Sequence, residues 1–328
     1  MKKITGFNYQ KTDYTYIRTF KDGKWDEGKL VEDDNITISA MSTSLHYGQQ
    51  AFEGLKAYKN DKDEINLFRV RDNAKRFIKS CRSLLMPEIK EDEFIEAVKK
   101  TVLANKDYIP NNKNQSLYIR PFMIGVGPKL GVGPATEYLF IILVSPVGAY
   151  FSEIKPINVL VTEYDRAAPN GTGQFKVGGN YAASLHALNE AKKQGFDDTL
   201  FLDPKTRRYV EEVGAANFFG ITEDNKYITP ISPSILRSIT NDSLRIIAKD
   251  YLGLEVIETK IPIEDTKDFI EVGACGTGAL ITPIGSITYN NNRYEYNKHD
   301  VSMKLKEILL NIQYGDIPDK YGWVTKIN

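Results

Sequence analysis

Gln174-Phe175-Lys176-Val177-Gly178-Gly179-Asn180-Tyr181 sets a single lysine between two apolar residues and follows it at once with a pair of glycines. A turn-rich run, Ala168-Pro169-Asn170-Gly171-Thr172-Gly173, precedes it, and a helical pattern begins at Tyr181 and runs through Leu188. Lys176 is therefore expected in an ordered loop or strand end, where paired glycines let backbone come close to something bulky. A lysine in such surroundings is a candidate amine nucleophile, because desolvation favours its neutral form. The same stretch also reads as a surface lysine beside a glycine-rich turn, and the rest of the chain decides between the two.

The chain has 328 residues, enough for a sizeable core and for two domains. Its 41% hydrophobic and 26% charged content is that of an ordinary globular protein. Lys plus Arg equals Asp plus Glu at 43 each, so no global charge points to nucleic acid or an anionic membrane as partner. Two cysteines, Cys81 and Cys275, exclude a disulfide scaffold and a metal site built mainly on thiolates. The start, Met1-Lys2-Lys3-Ile4-Thr5, lacks the apolar core of a signal peptide, and the apolar run Tyr138 to Val144 is too short to span a bilayer. A cytoplasmic protein is expected.

Along the chain, residues 1–45 read as irregular chain and strands with a turn at Asp22-Gly23. Phe52 to Tyr58 and Glu64 to Phe68 flank Asn60-Asp61-Lys62 as a hairpin. Asp72 is expected to cap a helix to Leu85 with Phe77, Cys81 and Leu84 inward, and a second amphipathic helix covers Glu91 to Asn105. Ser116 to Ile124 and Tyr138 to Val144 read as buried strands. The loop 125–134 between them lacks the G-K-[ST] ending of a phosphate loop. Pro146-Val147-Gly148-Ala149-Tyr150 breaks the pattern, which places a small α+β domain at 1–149, a connector at 150–156 and a larger α/β domain at 157–328. In the latter, strands are expected at 157–163, 198–202, 208–212, 216–221, 254–259 and near 270–290, with helices at 181–194, 240–252 and 300–312. No G-x-G-x-x-G stands between a strand and a helix, which disfavours a Rossmann sheet.

Three further segments carry chemistry. Glu212 precedes a glycine among strand-like apolar residues, where a carboxylate is costly unless a cation or donor partners it. Ser234-Ile235-Leu236-Arg237 lies just before a helix start, a place where backbone N–H groups bind anions. Gly273-Ala274-Cys275-Gly276-Thr277-Gly278-Ala279 adds N–H groups and a hydroxyl. A lysine amine, a buried carboxylate and two anion-cradling segments match the needs of pyridoxal 5′-phosphate. His46, His186 and His299 show no metal-like spacing and read as structural, and no metal is expected.

With these segments in view, the chain resembles the branched-chain-amino-acid aminotransferases, fold-type IV pyridoxal-phosphate enzymes of two domains. The resemblance runs through Leu45-His46-Tyr47-Gly48-Gln49-Gln50-Ala51-Phe52-Glu53-Gly54-Leu55-Lys56-Ala57, Arg76-Phe77, Ser116 to Pro121, Pro146 to Phe151, Lys176 to Tyr181, Glu212-Val213-Gly214 with Asn217, and Gly276-Thr277. It implies that Lys176, expected in the large domain, is the Schiff-base lysine and proton shuttle. It implies that Glu212 partners the pyridine nitrogen and Tyr181 the phenolic oxygen, while Arg76, Ile235, Leu236 and Thr277 hold the phosphate. Gly278 would offer its N–H to the substrate α-carboxylate. Phe52, Tyr47 and Tyr150 would wall the side-chain pocket, and Tyr118 with Arg120 would receive the side-chain carboxylate of glutamate.

The chain departs from the family pattern in three places. Ser234 stands where glycine is common, Ala215 replaces a threonine hydroxyl near the substrate carboxylate, and Ala279-Leu280-Ile281-Thr282 lacks a C-x-x-C pair. The implied reaction moves an amino group between leucine, isoleucine or valine, with their keto acids, and glutamate or 2-oxoglutarate by a ping-pong route in a homodimer or higher homo-oligomer. D-amino-acid aminotransferase and aminodeoxychorismate lyase activities share the fold, and a non-catalytic cofactor-binding protein is the rival of another class.

Overall fold

The computed structural model describes residues 6–148 and 155–327. In chain order its elements begin with β1 (Thr15–Lys21), β2 (Lys24–Trp25), β3 (Lys29–Val31), α1 (Thr43–Tyr47), β4 (Gln50–Phe52), β5 (Leu55–Lys59), β6 (Ile65–Phe68), α2 (Val70–Ser83) and α3 (Glu91–Ala104). They continue with β7 (Ser116–Gly125), β8 (Tyr138–Val147), β9 (Ile157–Val161), α4 (Gly178–Lys193), β10 (Asp198–Leu202), β11 (Val210–Val213), β12 (Ala216–Ile221), β13 (Lys226–Pro230) and α5 (Ile239–Leu252). Last come β14 (Glu255–Thr259), β15 (Glu271–Gly276), β16 (Leu280–Tyr289), β17 (Asn292–Glu295), α6 (Asp300–Tyr314) and β18 (Val324–Ile327).

These elements form two compact units. The first takes the described residues up to 148 together with Phe175–Gly178 and 311–327; the second takes 155–174 and Gly179–Leu310. Two segments therefore group differently from the expected division at 149 and 157. The Lys176 segment joins the first unit because Val177 bridges Ala51 and the Phe52 N–H donates to the Lys176 carbonyl at 3.0 Å. The C-terminal stretch joins it because β18 pairs with β6 from Val324–Phe68 to Ile327–Ile65. Tyr150 and residues 151–154 of the expected connector lie outside the described residues.

The first unit is an antiparallel sheet in the order β18-β6-β5-β7-β8-β1-β2, with β3 on β1 and β4 on β7. Its hairpin turns follow from residue type. Asp22 and Gly23 both adopt positive φ, and the Asn60 carboxamide accepts N–H bonds from Lys62 and Glu64. The core lies under α2 and α3, where Phe77, Phe94 and Phe140 pack with ring centroids 5.4–5.9 Å apart. Two local expectations are corrected. α2 starts at Val70 behind an αL Arg69, and Asp72 pairs with Arg69 Nε at 2.6 Å instead of capping. Pro146 does not end the strand: it lies in β8 opposite Leu117.

In the second unit the sheet runs β11-β10-β9-β16-β15-β12, and a further pairing of β11 with β12 closes these six strands into a barrel. β13 and β14 extend it from β12, and β17 pairs with β16. Three parallel pairings, β9–β10, β9–β16 and β13–β14, give it its α/β character. Closure leaves the six barrel strands paired on both sides, while β14 remains at an edge. The buried Glu271 carboxylate accepts the N–H groups of Val301 and Ser302, both at 2.9 Å, satisfying the first turn of α6.

Asp198, at the start of β10, is half-buried beside the Gly214 turn, where a Cβ at Gly214 would lie 2.5 Å from its Oδ1. Burial raises its pKa above the ordinary carboxylate value, against the Thr199 N–H that donates to it. A group with a raised folded pKa favours folding in acid, and that contribution is withdrawn as pH rises through the folded pKa. Asp198→Asn keeps an oxygen for Thr199 and removes the buried charge. It should raise Tm near neutral pH, with the gain shrinking as pH falls toward about 3.9, the ordinary Asp value. Melting curves across that range check this, and a gain that grows in acid would contradict it.

Candidate active site

The first unit pins the Lys176 backbone on both sides. Its N–H donates to Ser80 Oγ at 2.9 Å, and its carbonyl accepts the Phe52 N–H at 3.0 Å. Ser80, buried in α2, donates in turn to the Arg76 carbonyl at 3.0 Å, one helical turn back. A Cβ at Gly178 would fall 2.4 Å from the Gln50 carboxamide, so the glycine after Val177 admits a close neighbour, whereas Gly179 faces open space. The Lys176 side chain is half-buried, with Nζ 4.8 Å from the centre of the Phe52 ring.

The same ring meets a second cation, since the Arg120 Cζ lies 4.9 Å from its centre. Tyr118 and Arg120 stand two apart on β7 and so share a face, and Arg120 Nη2 donates to the Tyr118 hydroxyl at 2.9 Å. Arg76, on α2, forms a forked pair with Glu53: Nε to Oε2 at 2.9 Å and Nη2 to Oε1 at 2.5 Å. Glu53 is fully buried and the Arg76 side chain is 13% exposed. Tyr47 is 43% exposed, and its hydroxyl donates to the Leu130 carbonyl. Its own unit does not enclose it. Tyr150 lies outside the described residues.

In the second unit Glu212 is buried on β11. Its Oε2 lies 2.8 Å from Arg166 Nε, while Oε1 accepts from Asn217 Nδ2 at 3.1 Å and from the Leu236 N–H at 3.0 Å. The Ile235 N–H donates to the Ser232 carbonyl at 3.3 Å. Both backbone donors expected for a phosphate thus have internal acceptors in this arrangement. The neighbouring Glu211 accepts from the hydroxyls of Ser232 and Ser234, each at 2.5 Å, and Arg166 Nη2 donates to the Ser234 carbonyl. The 232–236 turn is therefore tied down by two adjacent carboxylates and one arginine. Serine at 234 serves through its hydroxyl, which glycine would not offer.

Thr277 and Gly278 are half-buried in the turn after the β15–β16 ladder, which ends with Gly276 opposite Leu280. Ala215 is exposed in the turn between β11 and β12. Tyr181 is half-buried in the first turn of α4, where Asn180 clamps the preceding loop through Thr172, with bonds of 2.7 and 2.8 Å. Cys275 is fully buried and burial raises its thiol pKa, although the Tyr227 hydroxyl opposes that. No cluster of three metal-ligating side chains occurs among the described residues.

Ser80 and Arg166 escaped the reading of the sequence, while Glu53 and Asn217 entered it only as parts of the family stretches, with no role of their own. The signal that singled out Glu212, a carboxylate among apolar strand residues, also marks Glu53 and asks for an arginine in each case.

A family model described as amino-transferase class IV matches residues 50–287. The chain belongs to that class of aminotransferases. It is 50% identical to the branched-chain-amino-acid aminotransferase of Haemophilus influenzae, over 98% of this chain and 97% of that one. It is 49% identical to the enzyme of the same name from Helicobacter pylori, over 99% and 97%. Among solved structures, the branched-chain amino acid aminotransferase of Thermobaculum terrenum in its PLP holo-form is similar to it, with a TM-score of 0.80, 28% identity, and 97% and 99% of the two chains covered.

Breaking a buried ion pair on one side leaves a charge without a partner and typically costs about 3–5 kcal/mol. Glu53→Ala should lower the unfolding free energy by about that amount, read from denaturant midpoints. Glu53→Leu with Arg76→Met, which removes both charges, should lose less than the single substitution. A double variant as unstable as the sum of the two singles would show that the pair is not coupled.

Proposed function

We propose that this chain is a pyridoxal-phosphate-dependent transaminase that exchanges the amino group between leucine, isoleucine or valine and 2-oxoglutarate in two half-reactions. The observation that carries this reading is the Phe52 ring, which holds the amine of Lys176 at 4.8 Å and the guanidinium of Arg120 at 4.9 Å. One pocket must accept an aliphatic side chain and a carboxylate in turn, and burying an unpaired carboxylate is costly. An apolar ring answers the first need, and a permanently charged arginine beside it answers the second.

The donor set fits the cofactor: an amine on a pinned backbone, a buried arginine for phosphate, and a buried carboxylate already held by a cation and two N–H donors. When bound, pyridoxal phosphate supplies an aldehyde that takes the amino group and a ring that absorbs the electron pair left by the α-proton. Lys176 Nζ removes the substrate α-proton and holds it until it is returned. Glu212, oriented by Arg166 and Asn217, would partner the pyridine nitrogen and keep it protonated, and Tyr181 would partner the phenolic oxygen. Arg76, Ile235, Leu236 and Thr277 would hold the phosphate. Gly278 offers its N–H to the α-carboxylate, beside Ala215.

The working form in this reading is at least a homodimer, in the cytoplasm. Leu130 and Val132 are 77% and 85% exposed on the loop that Tyr47 grips through its hydroxyl. An exposed apolar loop tip of this kind suits insertion into another copy. Tyr47 and Tyr150 then wall a pocket that the second copy completes.

Two outcomes test the reading. Lys176→Ala should abolish turnover, and borohydride should fix the cofactor of the unmodified enzyme onto the peptide containing Lys176; a label on another lysine would overturn the role. Arg120→Ala should cut kcat/KM for glutamate and 2-oxoglutarate by on the order of 10² or more, and single-turnover leucine by less than about tenfold. Equal losses in both half-reactions would make Arg120 a structural residue, and turnover of D-alanine in place of L-leucine would move the enzyme to another activity of this fold.

A further inference from the structure

Gly54 lies between β4 and β5 outside the left-handed region, so its backbone conformation does not demand glycine. The demand comes from space. A Cβ built on Gly54 falls 2.1 Å from the Tyr118 hydroxyl oxygen and 3.0 Å from Tyr118 Cζ. Tyr118 pairs with Lys56 across the β5–β7 ladder, and its side chain leans two residues toward the start of β5, into the volume a side chain at position 54 would fill. Phe7 meets the Tyr118 ring edge-on at 4.7 Å and limits where that ring can go.

The hydroxyl seated there orients Arg120. Among the described residues it is the hydrogen-bond partner of the guanidinium, through Nη2 at 2.9 Å, while Arg120 Nε is buried and makes no hydrogen bond. The Gly54 N–H donates to Glu53 Oε1 at 2.8 Å, so the contribution of this residue toward Tyr118 is the missing side chain.

We propose that Gly54 is a specificity-determining residue: the absence of a side chain at this position seats the Tyr118 hydroxyl, which aims Arg120 at the carboxylate of glutamate and 2-oxoglutarate. The inference rests on the assignment of Arg120 to that carboxylate. What must yield to a methyl group at position 54 is a side chain rather than backbone, so the fold survives and the displacement passes to Tyr118 and then to Arg120. Phe52 and Lys176, which serve leucine, stay where they are.

Gly54→Ala should therefore lower kcat/KM for 2-oxoglutarate and glutamate by roughly tenfold or more relative to leucine, with far-UV circular dichroism unchanged. Tyr118→Phe should shift the same ratio in the same direction. In the Tyr118→Phe background, Gly54→Ala should change the ratio by less than about threefold, because the group it displaces is gone. Equal loss in both half-reactions, or a full-sized effect of Gly54→Ala without the hydroxyl, overturns the proposal. If Gly54→Ala does not fold, Tyr118→Phe decides: an unchanged ratio overturns it. Arg120→Ala separates the two levels. A selective Arg120→Ala with a non-selective Gly54→Ala defeats this inference alone, whereas a non-selective Arg120→Ala defeats both.

Discussion

A carboxylate that has left water must find a cation, and each unit of this protein is arranged around one that has. In the first unit Glu53 is fully buried and forked onto Arg76; in the second, Glu212 is buried and pairs with Arg166 at 2.8 Å. Such pairs are poor sources of stability, because desolvation offsets most of their attraction, but removing one partner is severe. What they secure is position. Glu53 fixes one edge of a guanidinium on α2, and the Glu212 pair, with Glu211 beneath it, fixes the turn at 232–236. Each carboxylate thus orients groups within its own unit.

The two-residue break between β4 and β5 does more than turn the chain. Phe52 supplies an N–H to the Lys176 carbonyl and a ring to two cations, Glu53 pairs with Arg76, and Gly54 leaves room for the Tyr118 hydroxyl. Glu53 and Gly54 can do this because the ladder lapses there, just past Phe52. β4 pairs with β7 up to Phe52–Phe122, and β5 resumes the pairing at Leu55–Ile119, so the regular ladder lapses at Glu53 and Gly54 and the Gly54 N–H turns to the Glu53 carboxylate. The Glu53 N–H still finds the Pro121 carbonyl at 2.7 Å, so the lapse leaves no buried donor there without an acceptor.

Elements with strong periodicity were legible from the sequence. α3 and the strands at 198–202 and 216–221 lie where their apolar spacing put them, because their inward residues are decided locally. Pairings made by tertiary contact were not. β18 exists because it lies against β6, and barrel closure depends on β11 meeting β12. Pro146 misled because proline punctuates most patterns, yet here it sits in a strand. Of the candidate site residues, Lys176 and Glu212 carry a signal of their own, a lysine or carboxylate among apolar neighbours. Arg76, Tyr118 and Arg120 gain meaning only from what they face. Ser80 and Arg166 carried no signal, since nothing in their local sequence says which distant carbonyl or carboxylate they meet.

The last link is between the rigidity of the Lys176 segment and the freedom its amine would need in the role proposed for it. A proton shuttle has to reach a substrate carbon and withdraw, which is a movement of a side chain of four carbons. If the backbone moved as well, each transfer would begin from a different place, and the advantage of fixed orientation, which can reach about 7–11 kcal/mol of a barrier, would shrink. Here the N–H of Lys176 is held by Ser80 and its carbonyl by Phe52, while Val177 bridges Ala51. In that role the motion would be confined to the side-chain torsions, beside the Phe52 ring. Ser80 also holds the carbonyl of Arg76, so the amine that moves and the arginine assigned to the phosphate share one anchoring hydroxyl. A shift of α2 would carry both together and preserve their spacing, which is the quantity a shuttle beside a phosphate-anchored cofactor most needs kept constant.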